Sequence, residues 1–534
     1  MRVSDKPRVR SEVVARVVGM ALQAASGRGR PASEIINETL YFERERLRES
    51  GSTPRDSEDR AFYGKTRREL PNAGESRQRA MLQAIVQRYV EEICGHFDQR
   101  VYSAATKAVP IALTGLLNGL SAPRLLGGVD NLKRLGDHLI IDGHLDTLRR
   151  MQELGTVVLA PTHSSNLDSV ILGYAIEQMG LPPAIYGAGL NLFSNPIVGW
   201  FMHHLGAYTV DRLKRDPLYK RTLKEFATYA LELGYPALFF PGGTRSRGGF
   251  VEDRLKLGLL GTTVAAYANN LRVSKPGGRV FIFPMTLSYP LVLEGATLIH
   301  DHLRREGRSR YIIVDDEFSR WQRWLAFAGG LFNLDQRIYI RVARPLDPFG
   351  NDVDDDGRSV DPRGRPIEPE GYLLADGKIA RDSARDSEYT RHLARRVVAG
   401  FHTQNVAMTT HVLAFAVFET LRKEAGGGDL YRFLRALGPE TTMQMGQVEQ
   451  VVSALLKEIR TLVDAGKIQA SRVVGLWDAE AVVRRGLGTF ATYHTTSVLI
   501  RRGIRLHVGD ANLLYYYRNR LMNYGLMGTE RLDG

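Results

Sequence analysis

The chain has 534 residues, 43% hydrophobic and 25% charged, enough apolar material for a large core, which excludes a generally disordered chain. Its formal net charge of +13 favours acidic partners such as phosphate esters, anionic lipid, acidic carrier proteins or nucleic acid, without choosing among them. The single cysteine, Cys94, excludes an intrachain disulfide and any zinc site built from cysteines.

Residues 1–145 read as a helical domain. Arg2, Lys6, Arg8 and Arg10 precede an apolar run from Val13 to Ala25, but Arg16 interrupts it and no small-residue cleavage site follows. This predicts an amphipathic cytoplasmic helix rather than a signal peptide. Glu49 to Arg60 is polar and predicts a loop, whereas Met81, Leu82, Ile85, Val86, Tyr89, Val90 and Ile93 recur at helical spacing. Ala108 to Pro123 carries no charge, yet it is short and holds Pro110, Gly115 and Gly119, so it does not predict a membrane span.

From 146 to 346 the texture changes. Short β-rich runs (Thr156–Leu159, Ala237–Phe240, Val280–Phe283) alternate with helical stretches such as Leu218–Leu233. That alternation predicts an α/β domain whose sheet is mixed but largely parallel and flanked by helices. At the end of the first run stand Pro161, His163 and Asp168. Five residues apart, the two side chains would point some 140° apart on one helix. With His163 just before a helix that begins near Ser164, the carboxylate can reach back to the imidazole. A helix N-terminus keeps such a base uncharged, and its amides can assist a developing oxyanion. A base so held can take the proton of an alcohol that attacks a thioester.

Gln178 to Val210 lacks Asp, Glu, Lys and Arg. With Trp200, Phe201 and Met202 it reads as an acyl-chain wall, a membrane-facing surface or ordinary core. His203-His204 within it lacks the acidic neighbours expected of a metal site. Further on, Phe240-Pro-Gly-Gly243-Thr244-Arg245-Ser246-Arg247 bends through glycines after a β-run, where amides and forked guanidinium donors can meet phosphate oxygens. An exposed basic turn is the plainer alternative. Residues 347–388, crowded with Asp, Gly, Pro and Arg, predict a polar loop or linker excursion. Asp352-Val-Asp354-Asp-Asp356-Gly357 begins like a calcium loop, but its twelfth position is Arg363 and no metal is expected. Residues 389–534 read as helical again, with Tyr515 to Tyr517 beside Arg518 and Arg520 on a packed helix with a snorkelling basic rim. No internal repeat is evident.

Four ordered segments together resemble the glycerophospholipid acyltransferase family. They are Pro161-Thr-His163 through Asp168; Gly206-Ala-Tyr-Thr-Val-Asp211-Arg212; Phe240 through Arg247; and Val280-Phe-Ile-Phe-Pro284-Met, continuing to Glu294-Gly295. The flanks are similar to the glycerol-3-phosphate and dihydroxyacetone-phosphate acyltransferase branch, through Tyr41-Phe-Glu-Arg-Glu-Arg-Leu47, Gly95 to Tyr102 and Leu514 to Arg520. Two positions depart from the pattern. Gly242 stands where the family usually carries glutamate, and Val210-Asp211-Arg212 looks more like lysophosphatidate acyltransferases.

The resemblance implies direct acyl transfer from acyl-CoA or acyl carrier protein, without a covalent enzyme intermediate, metal or organic cofactor. The acceptor would be glycerol-3-phosphate, with lysophosphatidate or dihydroxyacetone phosphate as alternatives. His163 would act as base and Asp168 as its orienting partner. Arg212, Arg245 and Arg247 would hold the acceptor phosphate in a cradle shaped by Gly243, Thr244 and Ser246, and Pro284 would line the site. Such an enzyme would work in the cytoplasm, peripheral to the anionic inner face of the cell membrane, and would not bind nucleic acid. Rival readings are a lipid- or carrier-binding relative without turnover, a nucleic-acid-binding protein, and a hydrolase using Ser164 or Ser165. The last lacks a G-x-S-x-G elbow.

Overall fold

A computed structural model describes residues 3–27, 31–49, 54–95, 98, 100–101, 138–189, 206–306, 337–380, 382–492, 494 and 496–529. The expectations for 108–123, 191–192, 200–202 and 203–204 lie outside these residues.

Four N-terminal helices, α1 (Lys6–Ser26), α2 (Ala32–Glu49), α3 (Pro54–Glu69) and α4 (Glu75–Ile93), precede the sheet. The polar stretch expected to be a loop is helical from Pro54 onward. Proline suits the first helical turn because its missing N–H would be unpaired there anyway. The next elements are β1 (Leu139–Gly143), α5 (Leu145–Leu154), β2 (Gly155–Pro161), α6 (Asp168–Gln178), β3 (Ile185–Gly189), β4 (Ala207–Val210), α7 (Pro217–Glu232) and β5 (Ala237–Leu238). After them come α8 (Leu257–Arg272), β6 (Arg279–Ser288), α9 (Gly295–Glu306) and β7 (Ile338–Val342).

Among the described residues these strands form one seven-stranded sheet in the order β1-β7-β6-β2-β5-β3-β4. All neighbours are parallel except β6 and β7, so β7 and its parallel partner β1 run against the other five. Strand β2 shows why the sheet sits in the interior. Val157 and Leu159 point into one core, Val158 and Ala160 into the other, and all four are buried. Helices α1, α4, α7 and α8 cover the second face together with α10 (Ser383–Gln404). The first face is covered by α6 and by C-terminal helices α11 (Thr409–Glu424), α12 (Met445–Asp464), α13 (Ala479–Phe490) and α14 (Ala511–Arg518). A small antiparallel sheet of Thr442–Gln444, Leu499–Arg502 and Arg505–Val508 interrupts the helical C-terminal region.

The polar segment after Pro345 contains a repeat that inspection of the sequence passes over. Three seven-residue units begin at Asp347, Asp354 and Asp361, each with glycine at its fourth position. In each, the Asp carboxylate accepts the amides two and four residues on, Phe349 and Asn351, Asp356 and Arg358, Arg363 and Arg365. Gly350, Gly357 and Gly364 adopt φ of 88°, 77° and 77°, which a side chain would strain. The short stretches between turns pair with one another, and the first, through Leu346, pairs with Ile282 of β6. Of the calcium-like aspartates, Asp354 is a turn-former that accepts backbone amides and Arg358, while Asp352 pairs with Arg396 and Asp356 with Arg358.

Candidate active site

Strands β6, β2 and β5 are neighbours, and β2, β5 and β6 point the same way, so the loops leaving their carboxyl ends converge. In open α/β sheets this edge is where ligands bind. Here it brings together His163 after β2, the Phe240–Arg247 turn after β5, and Tyr289 to Glu294 after β6.

Helix α6 starts at Asp168, four residues later than the sequence suggests, and Ser164 to Leu167 form a bend. The bend turns His163 back so that Nδ1 lies 2.8 Å from Asp168 Oδ2. The same oxygen accepts the Ser164 and Ser165 amides at 2.6 and 2.9 Å, and Tyr289 donates its hydroxyl to Oδ1. Asp168 is fully buried. With Nδ1–H committed to the carboxylate, Nε2 carries the lone pair. The imidazole stacks on Phe240, ring centroids 4.1 Å apart and 19° from parallel, so its plane is fixed as well. Burial, then the Asp168 charge, lifts the Tyr289 phenol well above its ordinary value and keeps it a donor.

One expectation fails here. The amides of the bend are not available to an oxyanion, because those of Ser164 and Ser165 go to Asp168, that of Asn166 to Glu294, and that of Leu167 to Ser165 Oγ. Two carboxylates inside the site have taken the donors that a helix N-terminus would otherwise present.

The glycine turn is fastened to His163. The Ser246 amide donates to the His163 carbonyl at 2.7 Å, and the His163 amide donates to Glu252 Oε1 at 2.5 Å. Gly243 has φ of 75°, a conformation that favours glycine, and it lies against the flexible side chain of Lys256. Arg245 reaches Glu294 Oε1 at 3.1 Å, and Glu294 also accepts from Ser165 Oγ. Burial, opposed by Arg245, raises the Glu294 carboxyl. Thr244 and Arg247 lie on the same turn, both partly exposed. Arg212 follows β4 at the same edge of the sheet. Desolvation, then the charge of Arg245, pulls its guanidinium below the ordinary value. Two cations that feel each other's charge favour an anion near them.

The C-terminal segment forms a roof that the sequence reading misplaced. Arg518 and Arg520 do not snorkel. Arg518 is buried against Glu419, with its guanidinium 5.0 Å over Phe418. Arg520 donates to Asn405 Oδ1 at 2.8 Å and to the Leu287 carbonyl at 2.6 Å, and reaches Ser164 Oγ at 3.5 Å. It lines a small cavity of about 20 Å³ with Ser164, Ser246, Tyr289, His411 and Tyr516. Burial, then the Arg520 charge, holds His411 down to about 3, so this histidine stays neutral beside the guanidinium.

The structure thus brings together His163, Asp168, Gly243, Thr244, Arg245, Ser246 and Arg247, with Arg212 at the same edge of the sheet and within reach of the Arg245 charge. It does not bring in Pro284. That ring packs toward Gly400 of α10 on the opposite face, where Thr286 also bonds the Phe401 carbonyl, because alternate residues of β6 face opposite sides. The site residues that sequence reasoning left without a role are Tyr289, Glu294, Arg520 and Glu252. The first three sit in segments already singled out by resemblance. Nothing in the sequence marks Glu252.

Comparison with known proteins adds a family. Residues 144–288 match the family model described as Acyltransferase. Over 173 residues the chain is 29% identical to a glycerol-3-phosphate acyltransferase of Pseudomonas fluorescens. It is 30% identical to one of Pseudomonas syringae pv. syringae and 29% to one of Ectopseudomonas mendocina. Each match covers 32% of this chain and 20% of the relative, so the chain spans about a fifth of the length of the curated relatives it matches. Residues 144–288 therefore form an acyltransferase domain that resembles the glycerol-3-phosphate branch of that family.

Proposed function

We propose that this protein transfers a fatty acyl group from acyl-CoA or acyl carrier protein to the sn-1 hydroxyl of glycerol-3-phosphate. The observation that carries the reading is the fully buried Asp168 backing Nδ1 of His163 beside an arginine-bearing turn. Nε2 of His163 takes the proton of the acceptor hydroxyl as that oxygen bonds to the thioester carbonyl carbon. The C–S bond then breaks, and the imidazolium returns the proton to the leaving thiolate. Asp168 fixes the tautomer and stabilises the transient imidazolium. Arg212, Arg245 and Arg247 hold the acceptor phosphate, supported by the mutual charge of Arg212 and Arg245. The net charge of +13 supports work at an anionic membrane surface; no helix among the described residues is long and apolar enough to cross one.

The test offers glycerol-3-phosphate, dihydroxyacetone phosphate and lysophosphatidate to purified protein with labelled acyl-CoA or acyl carrier protein, and identifies the lipid formed. The expected product is the 1-acyl ester of glycerol-3-phosphate. His163→Ala lowers kcat by at least ~10²–10⁴, the usual contribution of a positioned base, while acceptor binding measured by calorimetry stays near wild type. An H163A protein with most of its turnover intact would overturn the mechanism.

A further inference from the structure

Three carboxyl groups surround His163, and they differ in how fully their oxygens are used. Asp168 and Glu294 both have each oxygen hydrogen-bonded. Glu252 does not. Its Oε1 is held by the His163 amide, while Oε2 is buried and makes no hydrogen bond of ordinary geometry among the described residues; the nearby Gly242 amide also favours the charged carboxyl. A buried oxygen left without a partner is costly, and native structures keep few of them without a reason.

The position of that oxygen is specific. A Cβ built on Gly242 would lie 2.0 Å from Glu252 Oε2 and 2.7 Å from its carboxyl carbon. Gly242 is not among the glycines with positive φ, so its backbone does not require glycine. The requirement comes from occupancy: the Glu252 carboxyl, reaching back over ten residues, fills the side-chain volume of position 242. It stands on the glycine turn, next to the peptide of His163, with one oxygen uncommitted.

We propose that Glu252 is a substrate-binding residue whose free oxygen hydrogen-bonds the acceptor hydroxyl adjacent to the one being acylated, which makes a vicinal diol phosphate the preferred acceptor. The proposal rests on the acyl-transfer reading given above. It explains both the glycine at 242 and the orphaned oxygen. A site built around a buried polar group selects against analogues that leave it unpaired.

A mutant–substrate cycle tests this, comparing glycerol-3-phosphate with 3-hydroxypropyl phosphate, which lacks only the neighbouring hydroxyl. Wild type is expected to show a KM about tenfold higher for the analogue, the equivalent of one hydrogen bond to a polar group. Glu252→Ala raises KM for glycerol-3-phosphate about tenfold and leaves that for the analogue within about twofold, while any loss of kcat from the freed His163 amide is the same for both acceptors. Glu252→Met, which fills much of the same volume without a hydrogen-bonding group for the acceptor, gives the same cycle should the alanine variant fold poorly. The double variant Gly242→Asp/Glu252→Gly restores the discrimination by placing a carboxyl near the same volume from the other chain position.

Glu252 variants in which KM shifts equally for both acceptors would show a mere clamp on His163 and overturn the proposal. So would a double variant that discriminates no better than E252A. A wild type that acylates neither acceptor overturns the acyl-transfer reading itself, and this proposal with it.

Discussion

Four donors surround the carboxylate of Asp168: an imidazole N–H, two amides and a phenol. Asparagine at this position would present an NH₂ where an acceptor is required, and to keep one contact it would have to give up another. Asp168→Asn is expected to invert the His163 tautomer and lower kcat by about 10²–10⁴ with KM for the acceptor nearly unchanged. Steady-state kinetics read this directly, and a kcat within tenfold of wild type would show that Asp168 is structural. This pair was legible in the sequence because the two residues lie five apart beside a β-run, and local geometry nearly dictates their meeting. Glu252 was not legible. Its place depends on the closure of a loop from Pro241 to Lys256, fixed by the hydrogen bond between the Lys256 amide and the Pro241 carbonyl, and no spacing rule reports that.

The largely parallel sheet could be read from short β-runs alternating with helical stretches, since parallel neighbours need crossover connections. The reversal of β7 and β1 could not, because direction is decided by connections outside any one strand. The buried arginines were also out of reach. Arg518 looks like a basic rim until Glu419, 99 residues earlier, is placed beside it. The N-terminal helices show the same kind of coupling. Tyr41-Phe-Glu43-Arg-Glu-Arg46-Leu47, noted only as a resemblance, supplies Glu43 and Arg46 to a buried network. Glu43 and Asp216 accept the Tyr89 hydroxyl, and Lys214 pairs with Glu92 and Glu43. The network fixes the loop between β4 and α7, which also carries Arg212. Lys214→Met would take from buried Glu43 and Glu92 one of two cations, leaving Arg46 and Arg55, and unfolding free energy is expected to fall by about 2–3 kcal/mol in urea denaturation. A change below about 1 kcal/mol would mean that the network is dispensable.

Taken whole, the molecule has no partition between its acyltransferase sheet and its flanking helices. One core runs from β2 and β6 through α11 to α14, and the other from α1 through α7 to α10. The helical flanks therefore complete both sides of the sheet, and the C-terminal segment completes the site through Arg520. The excess of basic residues belongs to this scale as well. If the protein works on an anionic membrane, it is expected to sediment with vesicles containing phosphatidylglycerol at low salt and to leave them as salt rises past ~0.2 M, while ignoring purely zwitterionic vesicles. Equal binding to both vesicle types would remove charge as the cause. Competition by duplex DNA at the same ionic strength would favour the nucleic-acid reading instead.

The tandem aspartate turns between Pro345 and Ile367 carry a consequence for how this protein can change length. Each unit of seven residues contributes one bend and one short rung, and brings its own aspartate, glycine and backbone pairings. A whole unit gained or lost leaves the neighbouring units in phase. An indel of any other size puts a bulky residue where the chain needs positive φ and strips a carboxylate of its amides. Relatives sharing this strap should vary there in steps of seven.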